Sequence, residues 1–178
     1  MDDETLVNEC ISGNEKAQRL LFDRFSSKML GVSMRYINDK EHAKDVLQNA
    51  FIKVFKNLKK FNNDGSFEGW IRRIVVNTAL DELRKMKKTQ NDVELDDSFV
   101  QLSFNNFTEE RLQAESLLKL VQGLPDGYRT VFNLFAIEGY SHKEIAEKLN
   151  ISENTSKSQY SRARTAMKEI LKKLEIER

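Results

Sequence analysis

Proline and cysteine each occur once in the 178 residues, and glycine only seven times. With so few breakers, most of the chain is free to form long helices. The lone Cys10 excludes an intramolecular disulfide and suits a reducing cytosol, where it is expected as a buried, small apolar residue. No apolar run approaches membrane-spanning length, and Asp2, Asp3, Glu4 and Glu9 precede the first basic residue, the reverse of a signal peptide. These features predict a cytoplasmic protein without membrane insertion. The two histidines, His42 and His142, lie far apart, and no Cys or carboxylate cluster has metal-ligand spacing. Neither a glycine-rich phosphate loop nor a nucleophile motif is present. The sequence therefore predicts no enzyme, no cofactor and no metal.

The formal net charge is only +1, but the charges are segregated. Six basic residues face two acidic ones from Arg72 to Lys88, and six face one from Lys157 to Lys173. Between these cationic stretches, Thr89 to Glu110 carries Asp92, Glu94, Asp96, Asp97, Glu109 and Glu110 with no Lys or Arg. Such a block reads as a flexible acidic linker. It divides the chain into a helical domain over 1–88, a linker over 89–110 and a second helical domain over 111–178. The fold class is all-α: two small helical domains, with no alternating pattern that would make a sheet. Apolar periodicity predicts helices over Ala17–Tyr36, Glu41–Lys60 and Phe67–Lys88 in the first domain. In the second it predicts Leu112–Gly123, a turn at Pro125 and Gly127, and a helix over Tyr128–Glu138.

The last third has the pattern of a helix-turn-helix. Ser141 and Glu144 have capping-box spacing, and Ile145, Ala146 and Leu149 share one helical face. Asn150 suits the left-handed residue that ends a helix, Ile151 plugs the turn, and Ser152 caps the helix that follows. There, Tyr160, Ala163, Met167, Ile170, Leu171 and Leu174 form the expected inward stripe. Lys157, Ser158, Ser161 and Arg162 lie off it, with hydroxyl and cationic chemistry suited to base edges in a major groove.

Two features of the first domain need a surface role. Val46, Leu47, Ala50, Phe51, Val54, Phe55 and Leu58 form a core stripe, which leaves Ile52 facing away among Asp45, Gln48, Asn49 and Lys56. A branched apolar residue ringed by polar groups has the make-up of an interface centre. Downstream, Phe61, Phe67 and Trp70 flank a loop of Asn, Asp, Gly and Ser, and Arg72, Arg73, Asn77, Arg84, Lys85, Lys87 and Lys88 follow. Rings beside cations suit unstacked bases and phosphates. Phe67 and Trp70 are expected in the core, and Phe61 is the ring expected to touch a base.

Together these segments resemble the extracytoplasmic-function (ECF) sigma factors of bacterial RNA polymerase over nearly the whole chain. Asp45 to Phe55 resembles the segment that binds core polymerase. Phe61 to Ala79 resembles part of the module that melts and reads the minus-ten promoter element. Leu124-Pro125, Gly139 to Ile151 and Ser161-Arg162-Ala163-Arg164 resemble the module that reads the minus-thirty-five element. The resemblance implies that Asp45, Gln48, Asn49 and Ile52 dock on core RNA polymerase. It implies that Lys53, Phe61, Asn62, Asn63, Ser66, Arg73 and Asn77 meet minus-ten DNA, with Lys53, Phe61 and Asn77 bordering a pocket for a flipped base of the melted non-template strand. Lys157, Ser158, Ser161 and Arg162 would meet minus-thirty-five bases in duplex promoter DNA, and Arg164 a phosphate. An anti-sigma factor is a further implied partner. Two positions depart from the pattern: Asn49 stands where relatives usually carry Glu, and Ser156 where they usually carry an apolar residue. A stand-alone helix-turn-helix regulator is the alternative, but it leaves the aromatic loop and acidic linker without a task.

Overall fold

In the computed structural model the described residues are 1–62, 64–89 and 112–176, excepting the side chains of 89, 112–116 and 173–176. The acidic linker and Asn63 fall outside them. The chain divides into two compact units, Met1–Asp92 and Val93–Arg178. All regular structure among the described residues is helical.

The first unit has four α-helices: α1 (Asp3–Ile11), α2 (Glu15–Tyr36), α3 (Lys40–Asn57) and α4 (Phe67–Thr89). Side-chain caps set the first three starts, and Ser66 caps the fourth. Asp2 accepts from the Thr5 N–H at 2.8 Å, Asn14 from Lys16 and Ala17, and Asp39 from His42 at 2.7 Å. Gly13, at φ +88°, makes the turn between α1 and α2 in a region that other residues rarely adopt. Helix α1 is absent from the periodicity reading, although Leu6, Val7 and Cys10 give it a buried face. Burial also pushes the Cys10 thiol above its ordinary pKa.

Ala17, Leu21, Phe25, Met29, Val32 and Tyr36 of α2 meet the α3 stripe and the Phe67, Ile71, Val75, Val76, Ala79 face of α4 in one core. The stripe over α3 is buried as its spacing predicts, from Val46 through Val54, and Leu58 continues it. The α-helix stops at Asn57 rather than Lys60; Leu58–Lys60 form one turn of 3₁₀ helix, against which α1 packs.

The second unit contains α5 (Leu112–Gln122), α6 (Asp126–Phe132), α7 (His142–Leu149) and α8 (Glu153–Ile176). Pro125 stands at the N-cap of α6, so Gly127 lies inside that helix and not in the expected turn. Neither does α6 run evenly to Glu138, because Asn133–Ile137 widen into a π-helical turn. Leu124, Ala163 and Ala166 are buried together, with Tyr128, Phe132 and Met167 packed on them. Arg129 is buried to 3% exposure and donates to the carbonyls of Leu124 and Gln122 while pairing with Asp126. Burial lowers its pKa and Asp126 opposes that shift. The predicted α8 stripe needs one correction: Leu171 is 44% exposed. Ala166, small enough to pass as neutral in the sequence, takes its share of the contact. The Leu174 side chain lies outside the described set.

Candidate functional site

Helix α3 presents Asp45, Gln48, Asn49 and Ile52 together at the surface, with Ile52 47% exposed. The i, i+3, i+4 and i+7 spacing puts all four on one face, opposite the buried stripe. Two clefts between α3 and α4 border this face. One is lined by Asp45, Gln48 and Asn49 with His42, Glu82 and Lys85. The other, of about 560 Å³, runs from Asn49 and Ile52 past Lys53 to Asp81 and Arg84.

A smaller cleft of about 270 Å³ gathers Lys53, Asn57 and Lys60 with Trp70, Ile74, Asn77 and Thr78. It joins two of the minus-ten candidates, Lys53 and Asn77, which are 24 positions apart in the sequence. Phe61 is not among the residues lining it. The half-buried Phe61 ring instead sits 5.0 Å from Phe67 and 5.6 Å from Trp70, and Trp70 supplies the aromatic wall. Phe67 is buried, whereas Trp70 is only partly so. The signal that could have found Trp70 was its position three and seven residues before Arg73 and Asn77, which puts it on their side of α4. Arg73 and Asn77 are exposed, as are Asn62 and Ser66. Asn62 donates to the Asp64 carboxylate, and Ser66 Oγ accepts from the Gly69 N–H at 3.0 Å, capping α4. Asn63 lies outside the described residues.

In the second unit the capping box is complete. Glu144 N–H donates to Ser141 Oγ at 3.3 Å, and Ser141 N–H to Glu144 Oε2 at 2.8 Å. The Ser141 backbone N–H, then its hydroxyl, hold the Glu144 carboxyl below the usual range. Asn150 adopts φ 54°, ψ 49°, and Ser152 Oγ accepts from the Thr155 N–H at 3.0 Å. The turn is therefore built as its sequence predicts. It aims α8 so that Lys157, Ser158, Ser161, Arg162 and Arg164 are all exposed. Lys157 pairs with Glu153 at 2.7 Å, Arg162 reaches the Tyr128 hydroxyl at 3.5 Å, and the Arg164 guanidinium lies 6.0 Å from the Tyr160 ring. Ser156 is fully buried, and its hydroxyl meets His142 Nδ1 at 2.9 Å. The His142 ring stacks on Phe135 at 4.3 Å, so a polar residue in an apolar position is satisfied from α7.

Among the described residues no group of three or more His, Cys, Asp or Glu could hold a metal ion. Within the same set no helix is long and apolar enough to cross a membrane.

Comparison with known proteins agrees with this division. Residues 21–89 match the family model for sigma-70 region 2, and residues 114–167 that for sigma-70 region 4. The chain is 30% identical to the RNA polymerase sigma-H factor of Pseudomonas aeruginosa, over 97% of this chain and 95% of that protein. It is also 30% identical to the ECF RNA polymerase sigma-E factor of Escherichia coli K12, over 94% and 93%. Two solved structures share the fold. CnrH in complex with the cytosolic domain of CnrY has a TM-score of 0.52 at 24% identity, covering 96% of this chain and 97% of that one. The sigma factor RpoE bound to the anti-sigma factor NepR from Bartonella quintana has a TM-score of 0.54 at 18% identity, covering 86% and 96%. A chain with both sigma-70 regions in order, matched over nearly its whole length by such relatives, belongs to the ECF family of RNA polymerase sigma factors.

Proposed function

We propose that this protein is a promoter-specificity subunit that acts in the cytoplasm and catalyses no bond chemistry of its own. The α3 face of Asp45, Gln48, Asn49 and Ile52 docks on core RNA polymerase. The α3–α4 cleft, with Lys53 and Asn77 on its walls and Phe61 beside it, receives a base of the melted non-template strand, and Arg73, Asn62, Asn63 and Ser66 steady the neighbouring backbone. Lys157, Ser158, Ser161 and Arg162 of α8 read duplex DNA at the minus-thirty-five element, and Arg164 meets a phosphate. An anti-sigma factor is the regulatory partner, because a chain with exposed polymerase and DNA faces on separate units can be silenced by one protein that covers both.

The observation that carries this reading is the pairing of two surfaces on α3. An exposed Ile within a polar face lies next to a cleft that combines cations, an amide and an aromatic wall. Run-off transcription with purified core polymerase on a fragment library tests it. New start sites that depend on adding the protein are expected. A stand-alone regulator would instead footprint its site without polymerase and create no start.

A further inference from the structure

Lys53 lines both the 560 Å³ and the 270 Å³ cleft, and in this structure its ammonium group is already engaged. Asp81, one helical turn beyond Asn77 on α4, has its carboxylate 3.3 Å from Lys53 Nζ and 2.6 Å from Arg84. The other carboxylate in the cationic stretch of α4, Glu82, is taken up in the same way by His42 at 2.9 Å and Lys85 at 3.4 Å. The Lys53–Asp81 pair links α3 to α4, but both side chains are nearly half exposed. Exposed pairs contribute little to stability, and here the two helices already share a continuous apolar interface. What the pair does alter is the charge available at the mouth of the cleft. A phosphate reaching Lys53 must compete with the Asp81 carboxylate for its ammonium group.

We propose that Asp81 is an internal competitor for the DNA backbone. It holds the Lys53 ammonium engaged in the isolated protein and so sets the threshold for nucleic-acid binding at the minus-ten cleft. Deepening the reading given above, this inference rests on Lys53 facing DNA. It also predicts weak nucleic-acid binding by the free protein. Polymerase docked over Asn49 and Ile52, which line the neighbouring 560 Å³ cleft together with Lys53 and Asp81, brings the DNA to a position where displacing Asp81 becomes favourable.

The test is fluorescence-anisotropy binding of a labelled, mixed-sequence single-stranded oligonucleotide to the full-length protein without polymerase, in low salt. Asp81→Asn should bind roughly threefold to fivefold more tightly than the parent, the range expected for releasing one exposed ion pair. The gain should shrink as salt rises. Asp81→Ser should reproduce it, Asp81→Glu should not, and circular dichroism should show all three folded. In a Lys53→Ala background the gain should largely vanish. Unchanged binding by both neutral variants would overturn the proposal, as would an equal gain with and without Lys53. A parallel permanganate assay of Lys53→Ala holoenzyme separates the two readings. If opening is unaffected while the Lys53-dependent gain is present, the competitor stands and only the base-pocket role falls.

Discussion

Arg162 is the residue on which the reading of α8 can be tested most sharply. Its guanidinium is exposed, and the hydrogen bond to the Tyr128 hydroxyl at 3.5 Å is a weak restraint. A planar fork held this loosely can turn to a guanine edge and bind it in bidentate fashion. Arg162→Ala should then cost about 1 to 3 kcal/mol of discrimination between the cognate promoter and a variant at one base pair. Competition binding of holoenzyme would measure it, and an equal loss on every sequence would move Arg162 to a phosphate. Phe61 poses a different question, since its ring touches Trp70 and not the cleft directly. Phe61→Ala should reduce permanganate reactivity of melted thymines more than it reduces polymerase binding, because Trp70 loses the support that sets its angle. Unchanged melting would leave Trp70 to act alone. At this scale the sequence was readable wherever a side chain's chemistry announces its position, as with the Ser141–Glu144 box or Asn150. It was not readable where packing decides: the small Ala166 replaces the large Leu171 at the α8 interface, and Ser156 is satisfied by a histidine 14 residues away.

Helices, in turn, are legible by their apolar period and lose legibility where that period is short or broken. Helices α2, α3 and α4 were evident because each carries several turns of regular stripe. Helix α1 was missed because nine residues with three buried positions make a weak period, although Asp2 before Leu6, Val7 and Cys10 gives a usable cap-and-stripe signal. The π turn at Asn133–Ile137 has no apolar period of its own to betray it. One contact between elements is sensitive to pH. The side-chain hydrogen bond from His42, then burial in opposition and Lys85 in support, leave the Glu82 carboxyl below its ordinary pKa. A carboxyl lowered in the folded state adds stability above its unfolded pKa, and this is lost as pH falls through the folded value. Thermal unfolding of the first unit should therefore become easier on acidification below the ordinary carboxylate range. Glu82→Gln should flatten that part of the pH profile. An identical profile for parent and variant would show that the α3–α4 link through His42 carries no folding energy.

The molecule as a whole comprises two compact units, the first with the proposed polymerase face and strand-binding cleft, the second with the proposed groove-reading helix. On the proposed reading promoter opening needs both surfaces, so damage to one should leave the other's elementary property intact while abolishing their joint result. Ile52→Asp makes the sharpest version of this test. Because Ile52 is 47% exposed and packs no core, the substitution should leave the helical circular dichroism spectrum unchanged. Placing a carboxylate at the centre of an interface leaves it desolvated without a partner, and a penalty of about 3 kcal/mol or more corresponds to a loss of roughly a hundredfold or greater in affinity. Pull-down with core polymerase should therefore fail, and run-off transcription with it. The α8 face is untouched, so the residual low-salt affinity of the variant for duplex DNA should equal the parent's. Joint loss of both activities would mean that the substitution had unfolded the chain. A retained polymerase complex would remove α3 as the docking face and leave the exposed isoleucine as an ordinary surface residue.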